Sequence, residues 1–307
     1  MGLRILKLAK KEQTIAIRAL GNVCMALACI IWGLMSPLGK DAMQAGIPGT
    51  TMVTLRVVGG TLCFWLTSLF VHREHVPLYD VMKLCGAAMF AIVANQCYFT
   101  IGLSITSPVD ASLMTTLLPV FTMILAIAFT REHINIKMGF GLVFANIGAV
   151  WLILANNNGQ YGSGAVLGDL LCIGAQISFA IYLTMFKNII LRYSVFTLMK
   201  WMMLFAALVI TPFTFNEVIS QRWSEYETNT LLETAFVVFC GTYLAYILSV
   251  KAQKMLKPTN IAMYNYVQPI VATIVGVILG IATFGYTTAL PMILIFIGVW
   301  LVNRKQN

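Results

Sequence analysis

Asn265 and Gln268 stand three positions apart, directly before Pro269, inside an otherwise apolar run. On a helix that spacing is one face. The proline removes a backbone donor and frees a carbonyl, so two amides and an unpaired acceptor collect in one place. Polar side chains interrupt other apolar runs in the same way: Asn95, Gln96 and Tyr98; Gln176, Ser178 and Tyr182; Tyr243 and Tyr246; and a stripe of Ser112, Thr115, Pro119 and Thr122. In a hydrocarbon environment such groups cost free energy unless they are paired or line a cavity. Each therefore has two readings, an interhelical hydrogen bond worth about 0.6 kcal/mol or a wall of a solute pathway; beside Pro269 the pathway is preferred. Trp32 also has two roles open to it, stacking on a planar solute or packing on a glycine-lined neighbour.

Arg56 and Lys200 are cations within apolar runs, where a charge costs about 2.5–3.5 kcal/mol. They either attract anionic groups or snorkel to the interface and to carbonyls. No acid lies at the middle of a run: Asp41, Asp80, Asp110, Glu132 and Asp169 all sit near run ends. No histidine lies in a run either, so catalysis and a proton relay both lack an obvious residue. His72 and His75 are three apart, but in a short loop without a third ligand, so no metal site is expected. The seven cysteines, all in apolar runs and without CxxC spacing, read as free thiols packing like small hydrophobes.

These residues need elements to hold them, and the composition says which. Of 307 residues, 59% are hydrophobic and 10% charged, with mean hydropathy +0.85. A soluble domain carries about 25% charged residues. Ten apolar runs are read as transmembrane helices: 18–38, 50–71, 81–103, 108–130, 136–155, 165–187, 194–214, 231–251, 259–280 and 286–303. They do not alternate at period two, which excludes barrel strands. The first follows a basic stretch but ends at Trp32, Pro37 and Lys40 without a cleavage site, so it is read as a retained span. All Lys and Arg except Lys40, Arg56, Lys200 and Arg222 fall on one side of this arrangement. The positive-inside rule then puts both termini in the cytoplasm. The net charge of +9 follows from topology, and no nucleic-acid partner is implied.

The loop 156–164 divides the chain almost in half, and the halves match at a shift near 150: Pro108 with Pro258, Pro119 with Pro269, Gly148 with Gly298, and, with small gaps, Lys40 with Lys187, Trp32 with Phe179 and Arg56 with Lys200. Five helices per half invert the second repeat, an architecture common in secondary transporters. The units are thus 1–155 and 165–307, with Pro119 and Pro269 as hinges. Ile31-Trp32-Gly33, Leu55-Arg56, Ser107-Pro108 through Pro119 to Arg131-Glu132, Gly139, Gly141 and Gly148, Gly168-Asp169 and Pro258 through Gln268-Pro269 together resemble the drug/metabolite transporter superfamily, in its EamA-type branch. Ala282 departs from that pattern where Glu132 has its mate. The resemblance implies an all-α membrane bundle with a central cavity made mainly by helices 1–4 and 6–9. It also implies a bacterial inner membrane and export.

The expected function is a secondary transporter of a small organic metabolite or drug-like solute working by alternating access. Its expected site is Trp32, Arg56, Asn95, Gln96, Tyr98, Thr115, Gln176, Tyr182, Tyr243, Tyr246, Asn265 and Gln268. No P-loop pattern is present, and no cofactor is expected. The lipid bilayer and a small molecule are the expected partners; oligomeric state is not readable. An enzyme acting on lipid-linked substrates, a channel and a scaffold are the alternatives.

Overall fold

The structure is a computed structural model that describes residues 2–106, 108–129 and 165–278, with short pieces between 139 and 151 and between 290 and 298. The expected helices 136–155 and 286–303 lie mostly outside the described residues, and the loop 156–164, Arg131, Glu132 and Ala282 lie wholly outside them. Among the described residues every regular element is helical. We label them α1 Gly2–Gln44, α2 Gly49–Ser68, α3 Leu78–Ile105, α4 Pro108–Thr115, α5 Leu118–Phe129, α6 Ala165–Met185, α7 Lys187–Arg192, α8 Val195–Ser220, α9 Thr228–Met255, α10 Pro258–Met263 and α11 Val267–Ile278. Among the described residues six segments are long and apolar enough to cross a bilayer: Ile15–Gln44 of α1, α2, α3, Val166–Met185 of α6, α8 and α9. The expected helices 108–130 and 259–280 are each divided, into α4 with α5 and α10 with α11, because Pro119 and Pro269 interrupt the backbone ladder. A tight turn over Tyr264–Tyr266 joins α10 to α11.

Helix α1 runs on until Gly46, whose φ of 113° no side chain favours. There Gly46 N–H donates to Met43 O at 3.2 Å and Ile47 N–H to Ala42 O at 3.3 Å. That is the left-handed glycine stop, closed by the buried Ile47.

Hydrogen bonds between helix ends show how the chain runs. At one end Thr50 donates to Glu217, Thr106 Oγ1 to Asp169 Oδ1 at 2.7 Å, and Tyr226 OH to Gly46 O at 3.0 Å. At the other, Asp80 Oδ2 accepts from Arg192 Nη1 and Tyr193 OH, both at 2.6 Å, and Lys254 donates to Tyr193 O. The first end carries Asp41, Glu217, Glu225 and Glu227; the second carries Arg73, Lys83, Lys187, Arg192, Lys254 and Lys257. Helix α3 runs from the basic end to the acidic end, and α9 runs back.

These two helices are copies. Each contains one turn of wider π-helix, over Met89–Ala94 in α3 and Phe239–Leu244 in α9. Start, π turn and end all recur at one shift, 78 to 228, 89 to 239 and 105 to 255. Their C-terminal carbonyls are held alike. Lys40 Nζ donates to Leu103 O at 3.0 Å and to Ser104 O and Thr106 O at 2.9 Å, and Lys187 Nζ donates to Leu256 O at 2.9 Å. A cation at the negative end of a helix dipole is the favourable sign. The sequence match of Lys40 with Lys187 thus has a physical basis.

Helices α3 and α6 touch backbone to backbone. A Cβ on Gly168 would stand 2.9 Å from Gly102 O and 2.8 Å from Thr106 Cβ. Gly168→Ala is expected to destabilise the protein by about 1–3 kcal/mol through overpacking, whereas Gly39→Ala meets only Val237 Cγ2 at 3.6 Å and leaves stability unchanged or raised. Thermal unfolding midpoints in detergent check both.

At the basic end, outside the spans, Glu74 accepts the Ser194 N–H at 2.9 Å at the start of α8. Burial pushes its carboxyl up, but hydrogen bonds from Thr197 and Ser194 and the charge of Lys254 more than offset this, so it sits below the usual glutamate value. A lowered carboxylate contributes stability above its unfolded value of about 4.3, lost as pH falls through the native one. Glu74→Gln is therefore expected to flatten the acid limb of a plot of melting midpoint against pH between about pH 5 and pH 3, leaving the limb above pH 6 parallel to that of the parent.

Candidate functional site

At mid-bundle the helices leave a small cavity lined by Trp32, Met35, Arg56, Asn95, Gln96, Phe99, Thr115, Gln176, Phe179, Tyr246, Asn265 and Gln268. It lies between two parts of the apolar core. The larger, with Leu84, Leu183, Ile189, Leu198 and Leu256, fills most of the basic half; the smaller, with Ala42, Ile47, Leu103 and Cys172, fills the acidic half.

One wall is aromatic. The Trp32 ring meets Tyr246 edge-on at 5.9 Å and Phe179 at 6.3 Å between centroids. Trp32 Nε1 donates to Gly241 O at 3.0 Å, a carbonyl inside the π turn of α9. The π turn of α3 is served in the same manner: Ser178 Oγ donates to Phe90 O at 2.7 Å and Tyr246 OH to Ala91 O at 3.1 Å. A π turn interrupts the regular ladder and leaves carbonyls to be satisfied by side chains, and such turns often mark functional sites.

The other walls are amide and cation. Gln96 Nε2 donates to Tyr246 OH at 3.1 Å. Residues 96 and 246 are equivalent under the shift of 150, so the two repeats bond to each other through matching positions. Asn95 Nδ2 donates to Ala175 O at 2.9 Å, and Asn265 Oδ1 accepts the Cys29 thiol at 3.6 Å. Arg56 is 3% exposed; its Nε donates to Thr242 Oγ1 at 3.0 Å and its Nη1 to Thr100 Oγ1 at 3.1 Å. Thr115 and Asn265, also equivalent under the shift, lie beside the breaks between α4 and α5 and between α10 and α11. Discontinuous helices at the midplane are where transporters build binding sites.

Nine of the expected residues meet in this cavity: Trp32, Arg56, Asn95, Gln96, Thr115, Gln176, Tyr246, Asn265 and Gln268. Asn265 and Gln268 share its wall: Asn265 lies in the tight turn Tyr264–Tyr266 and Gln268 in the first turn of α11, and where the backbone is wound this tightly side chains three apart align. Three others lie elsewhere. Tyr98 is on the opposite side of α3 from Gln96, 43% exposed, and lies over Gly174. Tyr182 is buried toward the basic end, its OH donating to Gln253 Oε1 at 2.9 Å. Tyr243 packs on Phe64 and Phe239, at 4.8 and 5.5 Å between centroids. Tyr243 and Tyr246 do not share a face as expected for an α-helix, because Tyr243 belongs to the wider π turn. Lys200 is outside the cavity, with Nζ 5.4 Å from the Trp65 ring centre. Helix α8, the expected helix 194–214, contributes no lining residue, although it was expected to help make the cavity; Met35, Phe99 and Phe179 do line it, and as apolar residues in apolar runs they gave no sequence signal.

A bundle of helices long enough to cross a membrane, with a cavity at mid-depth, fits a membrane transporter, and comparison with known proteins supports that class. The EamA-like transporter family matches residues 19–154 and again 166–304. The chain belongs to that family, within the drug/metabolite transporter superfamily. It is 20% identical to an uncharacterized transporter of Archaeoglobus fulgidus over 92% of this chain and 99% of that protein. It is 26% identical to the uncharacterized transporter YetK of Bacillus subtilis, over 84% of this chain and 79% of that one. With the pseudopaline exporter CntI of Pseudomonas aeruginosa it shares 24% identity over 65% of this chain and 68% of that protein. A crystal structure of 14% identity superposes with a TM-score of 0.72 over 92% of this chain and 96% of that one, which shows the common fold.

Tyr246→Phe removes the donor to Ala91 O and the acceptor for Gln96 Nε2. It is expected to cost about 1–3 kcal/mol of stability. Denaturation in mixed micelles, with the Phe variant of surface residue Tyr79 as the control, measures it.

Proposed function

We propose that this chain is a secondary transporter carrying a small organic metabolite or drug-like solute through the central cavity by alternating access. The observation that carries the reading is the cavity itself, at mid-bundle where two oppositely running copies of one helix meet through Gln96 and Tyr246. The moving units are the two five-helix repeats, 1–155 and 165–307, joined by 156–164. Trp32, Arg56, Asn95, Gln96, Thr115, Gln176, Tyr246, Asn265 and Gln268 contact the solute. Tyr182 with Gln253 closes the path toward the basic end, and the breaks beside Pro119 and Pro269 are where bending is cheapest.

The basic end faces the cytoplasm of a cell whose inner membrane holds the protein, with both termini on that side; the distribution of Lys and Arg supports this. The direction is export. The named activity of CntI, a pseudopaline exporter, supports it. Proteoliposomes loaded with a pooled set of amino acids, hydroxy acids, nucleosides and sugar phosphates test the proposal by counter-flow. Saturable exchange of one solute is expected, and Arg56→Ala is expected to reduce its rate at least about tenfold, or about 1.4 kcal/mol, at matched protein content. Rates far above carrier turnover without counter-flow would point to a channel instead.

A further inference from the structure

Arg56 is buried at the cavity wall, and among the described residues no carboxylate lines the cavity or comes within ion-pair distance of it. A guanidinium carries five N–H groups. Its bonds to Thr242 and Thr100 use two, and both acceptors are neutral hydroxyls. A buried cation normally has a charged partner, because leaving it without one is costly. Here the partner is missing from the lining, and the remaining donors are beside the space a solute would fill.

A second group at the same wall is also incomplete. Gln96 is 1% exposed and its Oε1 has no hydrogen-bond partner among the described residues. The orientation of this amide is fixed by its neighbours. The single proton of the Tyr246 hydroxyl goes to Ala91 O, so that oxygen can only accept from Gln96, and Nε2 must face it. An acceptor of the same cavity lining is left with nothing to accept.

We infer that the solute is a small organic anion, a carboxylate whose charge pairs with Arg56, that also carries an O–H or N–H donor for Gln96 and an apolar or aromatic body against Trp32 and Phe179. This deepens the transporter reading and rests on it. The charges at the two ends fit: Lys187 and Lys257 border a depression at the basic end, while Asp41, Glu225, Glu227 and Glu233 border one at the acidic end. An anion is gathered at the first and repelled from the second, which speeds its encounter with the protein from the basic end.

The test is binding to the purified full chain in detergent, by isothermal titration calorimetry. Four probes share one phenyl body: 3-phenyllactate, 3-phenylpropanoate, 3-phenyllactamide and phenethylamine. Phenyllactate is expected to bind saturably and at least about tenfold tighter than the amide or the amine, with phenylpropanoate in between. Arg56→Gln is expected to abolish the preference for the acid, and Arg56→Lys to keep part of it. Thr100→Asp gives Arg56 an internal counter-ion without removing it, and is expected to abolish the preference even if Arg56→Gln does not fold. The inference is overturned if the amide or amine binds as tightly as phenyllactate, if neither acid binds saturably, or if Thr100→Asp keeps the preference. Counter-flow of the same probes separates this from the transporter reading. Tight acid binding without exchange overturns transport alone, and exchange that favours the amide overturns the anion alone.

Discussion

Lipid offers no hydrogen-bond partner, so every polar group in these helices must be satisfied within the protein or face a cavity. Much of the architecture follows from how that requirement is met. The two π turns leave carbonyls that their own helices do not satisfy, and Trp32, Ser178 and Tyr246 reach across from neighbouring helices to satisfy them. The C-termini of α3 and α9 would present open carbonyls, and Lys40 and Lys187 cover them. Each bond ties one helix to another at a fixed height. Together they fix the ring of helices whose centre is the cavity.

Duplication supplies the frame, and divergence supplies the chemistry. Equivalent positions carry different groups: Gln96 opposite Tyr246, Thr115 opposite Asn265. An amide and a phenol can bond to each other where two identical residues at the same point would compete for one role. The copies keep the shift of 150 in their helix ends and π turns, which set the backbone, while their inward side chains differ. A symmetric scaffold therefore holds an asymmetric lining, with the cation on α2 and the amides of Asn265 and Gln268 on the same lining.

The amide positions were legible in the sequence because a polar side chain in an apolar run is expensive and needs a reason. Asn95, Gln96, Gln176, Asn265 and Gln268 stood out on that ground and share the cavity. Aromatic residues gave a weaker signal, since a tyrosine is as stable packed outside as lining a pathway; Tyr98 and Tyr243 are of that kind. Met35, Phe99 and Phe179 left no trace, being apolar among apolar neighbours. The breaks at Pro119 and Pro269 were announced by proline. The π turns were not: Met89–Ala94 and Phe239–Leu244 contain no residue that demands a wider turn, and their position emerges only from the bonds other helices make to them.

Arg56 and Lys200 show how one kind of charge meets two fates. Lys200 is half-buried, and its flexible stem carries the ammonium to the faces of Trp65 and Trp201, a cation–π arrangement. Its charge is settled by its surroundings and asks for nothing more. Arg56 has a planar fork that matches a carboxylate, reaches from α2 to α3 and α9, and among the described residues bonds two hydroxyls. Those threonines orient the fork without neutralising it, so its position is fixed while its charge is not. A cation held in place beside a cavity, with its orientation already set by neutral bonds, has lost little freedom when an anion arrives. That pre-organisation separates a binding group from a buried charge that merely tolerates its place.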